Sequence, residues 1–282
     1  MDEKDHLYGR LWLEKQLSEA LREEGQSLES MPKVSGRLTC QRCSNQKFIE
    51  QLPNGAYYCR VCLIFGRNQS DKALYTFPPL IFPRGNFLMW EGQLTCHQKK
   101  ISDQLVSNTS SKKPTLIHAV TGAGKTEMIY ASIASVVNQG GWVCIASPRV
   151  DVRLARDFSC EVCLMHAQSL AYKRCPIIIA TTHQLMKFYK AFDLLIVDEV
   201  DAFPFIDNIH LNYAITQACK KDSVQVLLTA TSTQDLNQKV KNKQLTMLTL
   251  ARRFHGHHLV VPTFKQLFSL EKYLKQKNCL SD

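Results

Sequence analysis

Short runs of apolar residues alternate with amphipathic stretches over most of the chain after about residue 87. Runs of five or six residues are typical of buried strands, and the stretches between them have the length and spacing of helices. The predicted strands are 115–119, 142–147, 161–165, 176–180, 193–197 and 225–230. The predicted helices are 96–107, 125–138, 150–157, 183–190 and 208–220. Strands regularly separated by helices predict an α/β fold whose parallel sheet is covered on both faces.

The pattern before residue 87 is different. Leucines recur among charged residues over 7–24, which predicts a helix, and a segment rich in proline and phenylalanine over 67–86 predicts a linker or an extended docking segment. The sequence therefore predicts four segments. They are an N-terminal helical segment (1–32), a cysteine-rich module (33–72), an α/β lobe (73–250) and a C-terminal remainder (251–282).

Composition narrows the class of protein. The 282 residues carry a formal net charge of +10, which suits a polyanionic partner such as nucleic acid. The apolar runs are far too short to span a bilayer, and the acidic N-terminus lacks the apolar stretch of a secretory signal. Eleven cysteines without such a signal indicate a reducing compartment, where thiols serve as metal ligands or core residues rather than in disulfides.

Four of the cysteines form two C-x2-C pairs. Cys40 and Cys43 are separated from Cys59 and Cys62 by fifteen residues, which include an Asn-Gly hairpin signal. This spacing fits tetrahedral Zn²⁺ bound by four thiolates and predicts a zinc ribbon. A module this small would depend on the metal for its stability.

The role of this zinc module stays open between two interpretations. Residues 33–72 carry seven basic and two acidic side chains, with aromatic rings interleaved. Such a surface suits phosphate attraction and base stacking on single-stranded DNA, whereas the alternative is a structural knuckle whose rings pack around the metal. The residues concerned are Arg37, Arg42, Lys47, Arg60 and Arg67, with Phe48, Tyr57 and Tyr58.

A further C-x2-C pair lies in the α/β region. Cys160 and Cys163 are followed by His166 and Cys175, which together could form a second metal site. Because this region has a single knuckle within a predicted strand, the pattern favours buried thiols.

A glycine-rich loop connects the predicted strand 115–119 to the predicted helix 125–138. Residues 119–126 read A-V-T-G-A-G-K-T, the spacing of a loop whose backbone N–H groups cradle phosphates at a helix N-terminus. Lys125 would reach the β- and γ-phosphates of ATP, and the Thr126 hydroxyl would hold Mg²⁺. The predicted cradle consists of Thr121, Gly122, Ala123, Gly124, Lys125 and Thr126.

Acidic residues follow the predicted strand 193–197. Asp198 and Glu199 would lie at the carboxyl edge of the sheet, where α/β proteins bind ligands. Asp198 would hold Mg²⁺ through water, and Glu199 would act as general base on the attacking water. The strand 225–230 leads into Thr229 and Thr231, whose hydroxyls would link Glu199 to the rest of the site.

These three motifs, in this order, resemble the first motor lobe of superfamily 2 helicases and translocases. The resemblance implies a RecA-like P-loop NTPase lobe with a parallel sheet. Residues 147–152 and 181–184 resemble the family's motifs Ia and Ib, and residues 90–98 resemble the segment whose glutamine reads adenine. What the resemblance implies is that Gln98 contacts the base and that the DNA phosphates are contacted by Arg149, Thr181, Thr182 and His183.

Four stretches narrow this resemblance to the ComFA family of late-competence ATPases. They are residues 7–11, the four-cysteine module, residues 181–185 and residues 191–204. The resemblance implies ATP-driven movement on single-stranded DNA by a cytoplasmic protein at the inner face of the membrane. It also implies other competence proteins and a membrane DNA-uptake channel as partners.

The sequence departs from the family in its length. The family's motors have a second lobe, which needs roughly 150 more residues than follow Thr231. The sequence therefore predicts a fragment in which 251–282 is the hinge and the start of a missing lobe, and which hydrolyses ATP poorly. Two alternatives stay open. One is a replication-restart helicase resembling PriA, although in the PriA family the zinc module lies within the second half of the motor. The other is a non-catalytic, zinc-dependent module that binds DNA or a partner.

Overall fold

The structure, a computed structural model, describes residues 4–147, 153–165, 172–201 and 208–251. Its strands are β1 Leu11–Leu13, β2 Gln26–Glu29, β3 Lys33–Val34, β4 Arg37–Leu38, β5 Ile49–Gln51, β6 Tyr57–Cys59, β7 Ala73–Thr76, β8 Thr115–Ala119, β9 Val143–Ala146, β10 Val162–Met165, β11 Ile177–Ala180, β12 Phe192–Val197, β13 Cys219–Thr229 and β14 Thr246–Leu250. Its α-helices are α1 Glu19–Glu24, α2 Cys96–Ser110, α3 Lys125–Val137, α4 Arg153–Asp157, α5 Ile209–Ala218 and α6 Gln234–Lys241. Four 3-10 helices cover Asp5–Leu7, Glu14–Gln16, Leu63–Phe65 and Thr182–Lys187.

Seven parallel strands form the central sheet, in the order β10-β11-β9-β12-β13-β8-β14. All four residues of β9 and of β11 are buried, as expected for strands covered on both faces. One apolar cluster joins the sheet to α2 and α3, and another joins it to α5 and the segment around Phe188. The predicted α/β architecture with a two-faced parallel sheet is therefore confirmed.

Most predicted strands of this sheet are confirmed within a few residues, but one strand was missed. The strand β14 pairs with β8 at the sheet edge, and three of its five residues are exposed, with only Leu250 buried. Because such an edge strand lacks a continuous apolar run, its pattern did not stand out. The predicted helix 183–190 is instead the 3-10 helix Thr182–Lys187. None of the described helices has both the length and the apolar character that a membrane span requires.

The N-terminal region is an antiparallel sheet, so the prediction of one helix over 7–24 was wrong. Strand β7 pairs with β1 on one side and with β2 on the other. Leu11 and Leu13 are spaced by two residues and both are buried, which is strand periodicity, and only α1 is helical in this region. Strand β7 also lies inside the segment predicted as a linker, 67–86. The proposed division of the chain at residues 32 and 72 stays a prediction.

The four-cysteine module lies between β2 and β7 in the chain and packs on α5. The Nδ1 atom of His210 lies 2.8 Å from the carbonyl oxygen of Cys43. The Tyr213 hydroxyl donates a hydrogen bond to the carbonyl of Gln41 at 3.2 Å. Cysteines of the module belong to the same buried cluster as the apolar face of α5. The module is therefore anchored to the central sheet through this helix.

Candidate functional site

The phosphate loop runs from the end of β8 into the first turn of α3. Gly122 and Gly124 have φ of 79° and 74°, a left-handed conformation that glycine adopts without steric cost. The backbone N–H of Ala123 donates to the carbonyl of Val120 at 3.1 Å, and α3 begins at Lys125. The loop thus ends at a helix N-terminus whose free N–H groups and dipole favour an anion.

Gln98 lies against this loop rather than at a distance from it. Its side chain is 2% exposed, its Nε2 donates to the carbonyl of Ala123 at 2.8 Å, and its Oε1 accepts from the backbone N–H of Thr95 at 2.9 Å. Thr95 in turn caps α2. Gln98 therefore joins the start of α2 to the phosphate loop, and its contact with adenine stays a prediction.

The close approach of Gln98 explains why residue 124 is glycine. A Cβ at Gly124 would lie 2.5 Å from Nε2 of Gln98, whereas a Cβ at Gly122 would meet nothing within 4 Å. Both sites have positive φ, which costs an alanine about 1–2 kcal/mol.

We expect Gly124→Ala to destabilise the chain more than its matched control, Gly122→Ala. The Gly124 variant must also displace the amide of Gln98 from the Ala123 carbonyl, and the lost hydrogen bond adds about 1 kcal/mol to the lost free energy of unfolding. Urea denaturation of both variants measures the difference. Equal losses, or no relief when Gln98→Ala is added to Gly124→Ala, would show that the contact does not constrain the loop.

Acidic residues stand opposite the loop at the carboxyl edge of β12. Asp198 and Lys125 line one cavity of about 530 Å³, together with Gln98 and Trp90. Burial raises the pKa of Asp198, and the charge of Lys125 partly opposes that rise. The Asp198 carboxylate accepts the backbone N–H of Glu199 at 2.9 Å. The cavity thus combines a cation, a carboxylate and a helix N-terminus, the groups that a metal-bound polyphosphate requires.

Arg153 is a cavity residue that the sequence did not indicate. From the start of α4 its guanidinium contacts Glu127 Oε1 at 2.7 Å and the Thr126 hydroxyl oxygen at 3.0 Å. No motif distinguished it from the other arginines of the chain. The hydroxyl predicted to hold Mg²⁺ is therefore hydrogen-bonded to a guanidinium in this structure.

The hydroxyls that follow β13 contact a different carboxylate from the one predicted. Thr231 donates through Oγ1 to Asp201, whereas the sequence-based prediction paired these hydroxyls with Glu199. Burial alone would raise the pKa of Asp201, but hydrogen bonding to its carboxylate, including that from Thr231, outweighs burial and lowers that pKa. The turn after β12, in which Glu199 has a φ of 53°, directs Asp201 toward these threonines.

The residues predicted to contact DNA lie in part at the same edge of the sheet. Thr181, Thr182 and His183 follow β11; Thr182 is buried and His183 is exposed. The backbone N–H of Thr181 donates to the carbonyl of Met165. Arg149 lies outside the described residues, as do residues 252–282 of the predicted hinge and His166. The DNA-contact assignments stay predictions.

The four cysteine sulfurs of the zinc module converge. Their Sγ atoms all lie within 4.8 Å of one another, and all four residues are completely buried. Three nearby donors point at the sulfurs: Asn45 Nδ2 to Cys59 at 3.3 Å, Asn68 Nδ2 to Cys40 at 3.3 Å and Arg42 Nη1 to Cys62 at 4.0 Å. Donors around sulfur stabilise thiolates, so the cluster is compatible with a zinc ribbon.

Arg42 is therefore a structural residue of this module and not part of an exposed basic surface. It is 2% exposed and also donates to the carbonyls of Phe65 and Gly66, at 3.3 and 3.0 Å. Arg60, by contrast, is exposed and lies near Glu50, and Arg67 lies over the ring of Tyr58.

Cys163 and Cys175 form a disulfide in this structure, contrary to the expectation that the cysteines are free thiols. Cys163 lies on β10 and Cys175 precedes its neighbour β11, so the parallel pairing brings them together. Cys160 of the same C-x2-C pair is a free cysteine. The sequence could not show this pairing because the two cysteines meet only through the sheet register.

The parallel sheet with its phosphate loop and acidic edge defines a nucleotide-binding lobe of the helicase class. Residues 95–239, slightly more than half of the chain, match the family model of DEAD/DEAH box helicases, and the chain belongs to that family. A DEAD box protein from Methanococcus jannaschii is similar in structure, with a TM-score of 0.44 and 17% identity over 58% of this chain and 56% of that one.

Within this family the predicted resemblance to ComFA is confirmed. The chain is 51% identical to the competence protein ComFA of Streptococcus pneumoniae, over 97% of this chain and 65% of that protein. It is 36% identical to ComFA of Bacillus subtilis, over 81% of this chain and 52% of the relative. The replication restart protein PriA of Rickettsia prowazekii matches at 26% identity over 59% of this chain and 30% of PriA. The chain thus spans between half and two thirds of its ComFA relatives.

Proposed function

We propose that this chain is the nucleotide-binding part of an ATP-driven translocase that moves single-stranded DNA during DNA uptake in competence. The observation that carries the proposal is the cavity in which Lys125, Asp198 and the phosphate loop face one another. The similarity to ComFA over nearly the whole chain supports the biological setting.

The roles proposed for the site residues follow from their chemistry. The loop N–H groups and Lys125 hold the phosphates, while Thr126 and Asp198 hold Mg²⁺. Bound MgATP supplies a phosphoanhydride whose charge the metal neutralises. Glu199 takes a proton from water at its carboxylate, and the hydrogen bond between Thr231 and Asp201 fixes the loop after β12 against β13. Arg153 would leave Thr126 when the metal binds, because both cannot occupy the same side of the hydroxyl.

The DNA side of the proposal rests on two surfaces. Thr181, Thr182 and His183 follow β11 at the edge that also carries the nucleotide cavity, and Arg149 belongs to the same prediction. The zinc module contributes exposed Phe48 and Tyr57 beside basic residues, which suits stacking and phosphate contacts. Competence proteins and a membrane channel as partners, and a place at the cytoplasmic face of the membrane, are part of the same proposal.

ATPase assays with and without DNA test this proposal. If the chain is the nucleotide-binding part of such a translocase, single-stranded DNA raises its low ATPase rate several-fold more than duplex DNA at equal nucleotide concentration. Binding of ATP and single-stranded DNA without any stimulated turnover would contradict the proposed coupling between the nucleotide site and DNA. DNA binding without any ATP binding favours the non-catalytic module instead. Preference for branched duplexes favours the PriA-like alternative.

A further inference from the structure

A small cavity lies where the N-terminal sheet, the zinc module and the 3-10 helix Thr182–Lys187 meet. Its volume is about 40 Å³, and three cationic side chains line it: Arg10 from beside β1, Arg42 from the zinc module and Lys187 from the end of the 3-10 helix. Among the described residues that line this cavity, none carries a carboxylate. We call it the junction cavity.

Arg10 and Lys187 are held in place by contacts that do not neutralise them. The guanidinium of Arg10 lies between the rings of Trp12 and Tyr172, at 4.5 and 4.3 Å, and its Nε is buried without a hydrogen-bond partner in the described structure. Lys187 Nζ lies 5.4 Å from the centre of the Phe65 ring, and within the described residues it makes no ion pair. Aromatic faces orient Arg10 and Lys187 but leave their charge uncompensated.

Burying like charges together is unfavourable unless an anion accompanies them. Burial lowers the pKa of Lys187, and the charges of Arg10 and Arg42 lower it further. Burial also lowers the pKa of Arg10, to about 10. The carboxylate of Asp5 is engaged by Arg174 at 2.9 Å. Arg42 has the sulfur of Cys62 as a neighbour, so Arg10 and Lys187 are the groups most in need of an anion.

We propose that the junction cavity binds an oxyanion of the phosphate class, held by the guanidinium of Arg10 and the ammonium of Lys187. The cavity volume of about 40 Å³ exceeds what one water needs and admits a compact tetrahedral anion. Guanidinium and ammonium groups are the usual ligands of phosphate, and the unpartnered Nε of Arg10 supplies a donor.

The phosphate can come from two sources with the same chemistry. One is free inorganic phosphate. The other is a phosphodiester of a bound DNA strand, because Lys187 ends the helix that begins beside Thr181, a residue predicted to contact DNA. This second source rests on the proposed function, whereas the first is independent of it.

Thermal unfolding of the full chain in phosphate and in chloride of matched ionic strength tests the site. Phosphate should raise the Tm by about 3 °C or more over chloride, and the excess should saturate with concentration. Lys187→Met should remove most of this excess and should not lower the Tm in chloride, because it relieves the repulsion. Lys187→Arg should retain it, as should the matched control Lys100→Met on the exposed face of α2.

Binding of a labelled oligothymidine at several salt concentrations distinguishes the two sources. If the ligand is a phosphodiester, Lys187→Met reduces the slope of log affinity against log salt concentration by about one, because one phosphate contact is lost. Free phosphate then also competes with DNA for binding. If the ligand is free phosphate, the salt dependence is unchanged while the thermal excess is lost. The proposal is overturned if the additional rise in Tm in phosphate grows linearly with concentration without saturating, as it does for salts excluded from the protein surface. It is also overturned if this rise survives in Lys187→Met.

Discussion

Replacing Lys125 with alanine should reduce ATP hydrolysis by a factor of about 10² or more and weaken ATP binding more than ADP binding. Lys125 is the first residue of α3 and shares the nucleotide cavity with Asp198. Its ammonium supplies the positive charge nearest to the predicted position of the γ-phosphate. Its loss also removes the charge that partly opposes the rise in the pKa of Asp198 caused by burial. Fluorescent nucleotide titration and a coupled ATPase assay measure both effects.

The control variants separate binding from chemistry. Glu199→Gln should keep nucleotide affinity within a few-fold while lowering turnover by about 10²–10⁴, because only the proton acceptor is lost. Lys100→Ala, an exposed lysine on α2, should behave as wild type. DNA-stimulated hydrolysis that persists in Lys125→Ala would mean that the phosphate loop does not serve as the ATP site.

If the four-cysteine module binds zinc, removing the metal should unfold residues 33–72 and loosen the face of the sheet on which the module rests. Structural zinc contributes about 10–16 kcal/mol to the folding of comparable small modules, far more than this module's own core could replace. Because His210 and Tyr213 contact carbonyls of the first knuckle, α5 should lose partners as well. Cys40→Ser with Cys43→Ser should therefore contain no zinc, expose the module to trypsin and lower the Tm by several degrees.

Cys96→Ser provides the matched control, because Cys96 is an exposed free cysteine outside the module. It should bind one zinc per chain and resist trypsin as the wild type does. Stoichiometric zinc in the double serine variant would rule out this metal site. Single-stranded DNA binding by the same variant decides the open question of the module's role: affinity lost with the zinc supports a DNA-contact surface, and unchanged affinity supports a purely structural knuckle.

Local chemistry made most of the nucleotide site predictable. The glycines at 122 and 124 are required by backbone conformation, and the apolar strands end at fixed positions, so neighbours in a parallel sheet bring Lys125 and Asp198 to one edge. The cysteine spacing likewise predicted the cluster of four sulfurs. In each case a short sequence motif is enough to specify the local backbone conformation that the site requires.

Features that depend on contacts between distant segments were missed or assigned wrongly. The leucines of residues 7–24 fit a helix until β7, more than fifty residues later, pairs with β1. Thr231 selects Asp201 rather than Glu199 because the turn after β12 sets the direction of each carboxylate. Arg153 reaches Thr126 from a different helix, and no sequence pattern records that approach.

The sequence by itself determined the class of this protein: a parallel α/β lobe with a phosphate loop, an acidic strand end and a four-cysteine module, in an order shared with ComFA. Periodicity and motif spacing suffice for these features because each is assembled from short motifs or apolar runs whose local pattern is visible in the sequence. Only the tertiary structure decided that the N-terminal segment is a sheet and that the four-cysteine module is anchored on α5. It alone brought Arg10, Arg42 and Lys187 to one cavity. These contacts depend on how separate helices and strands pack against one another. Packing brings together residues that are distant in the sequence, and no local sequence pattern indicates which of them will meet.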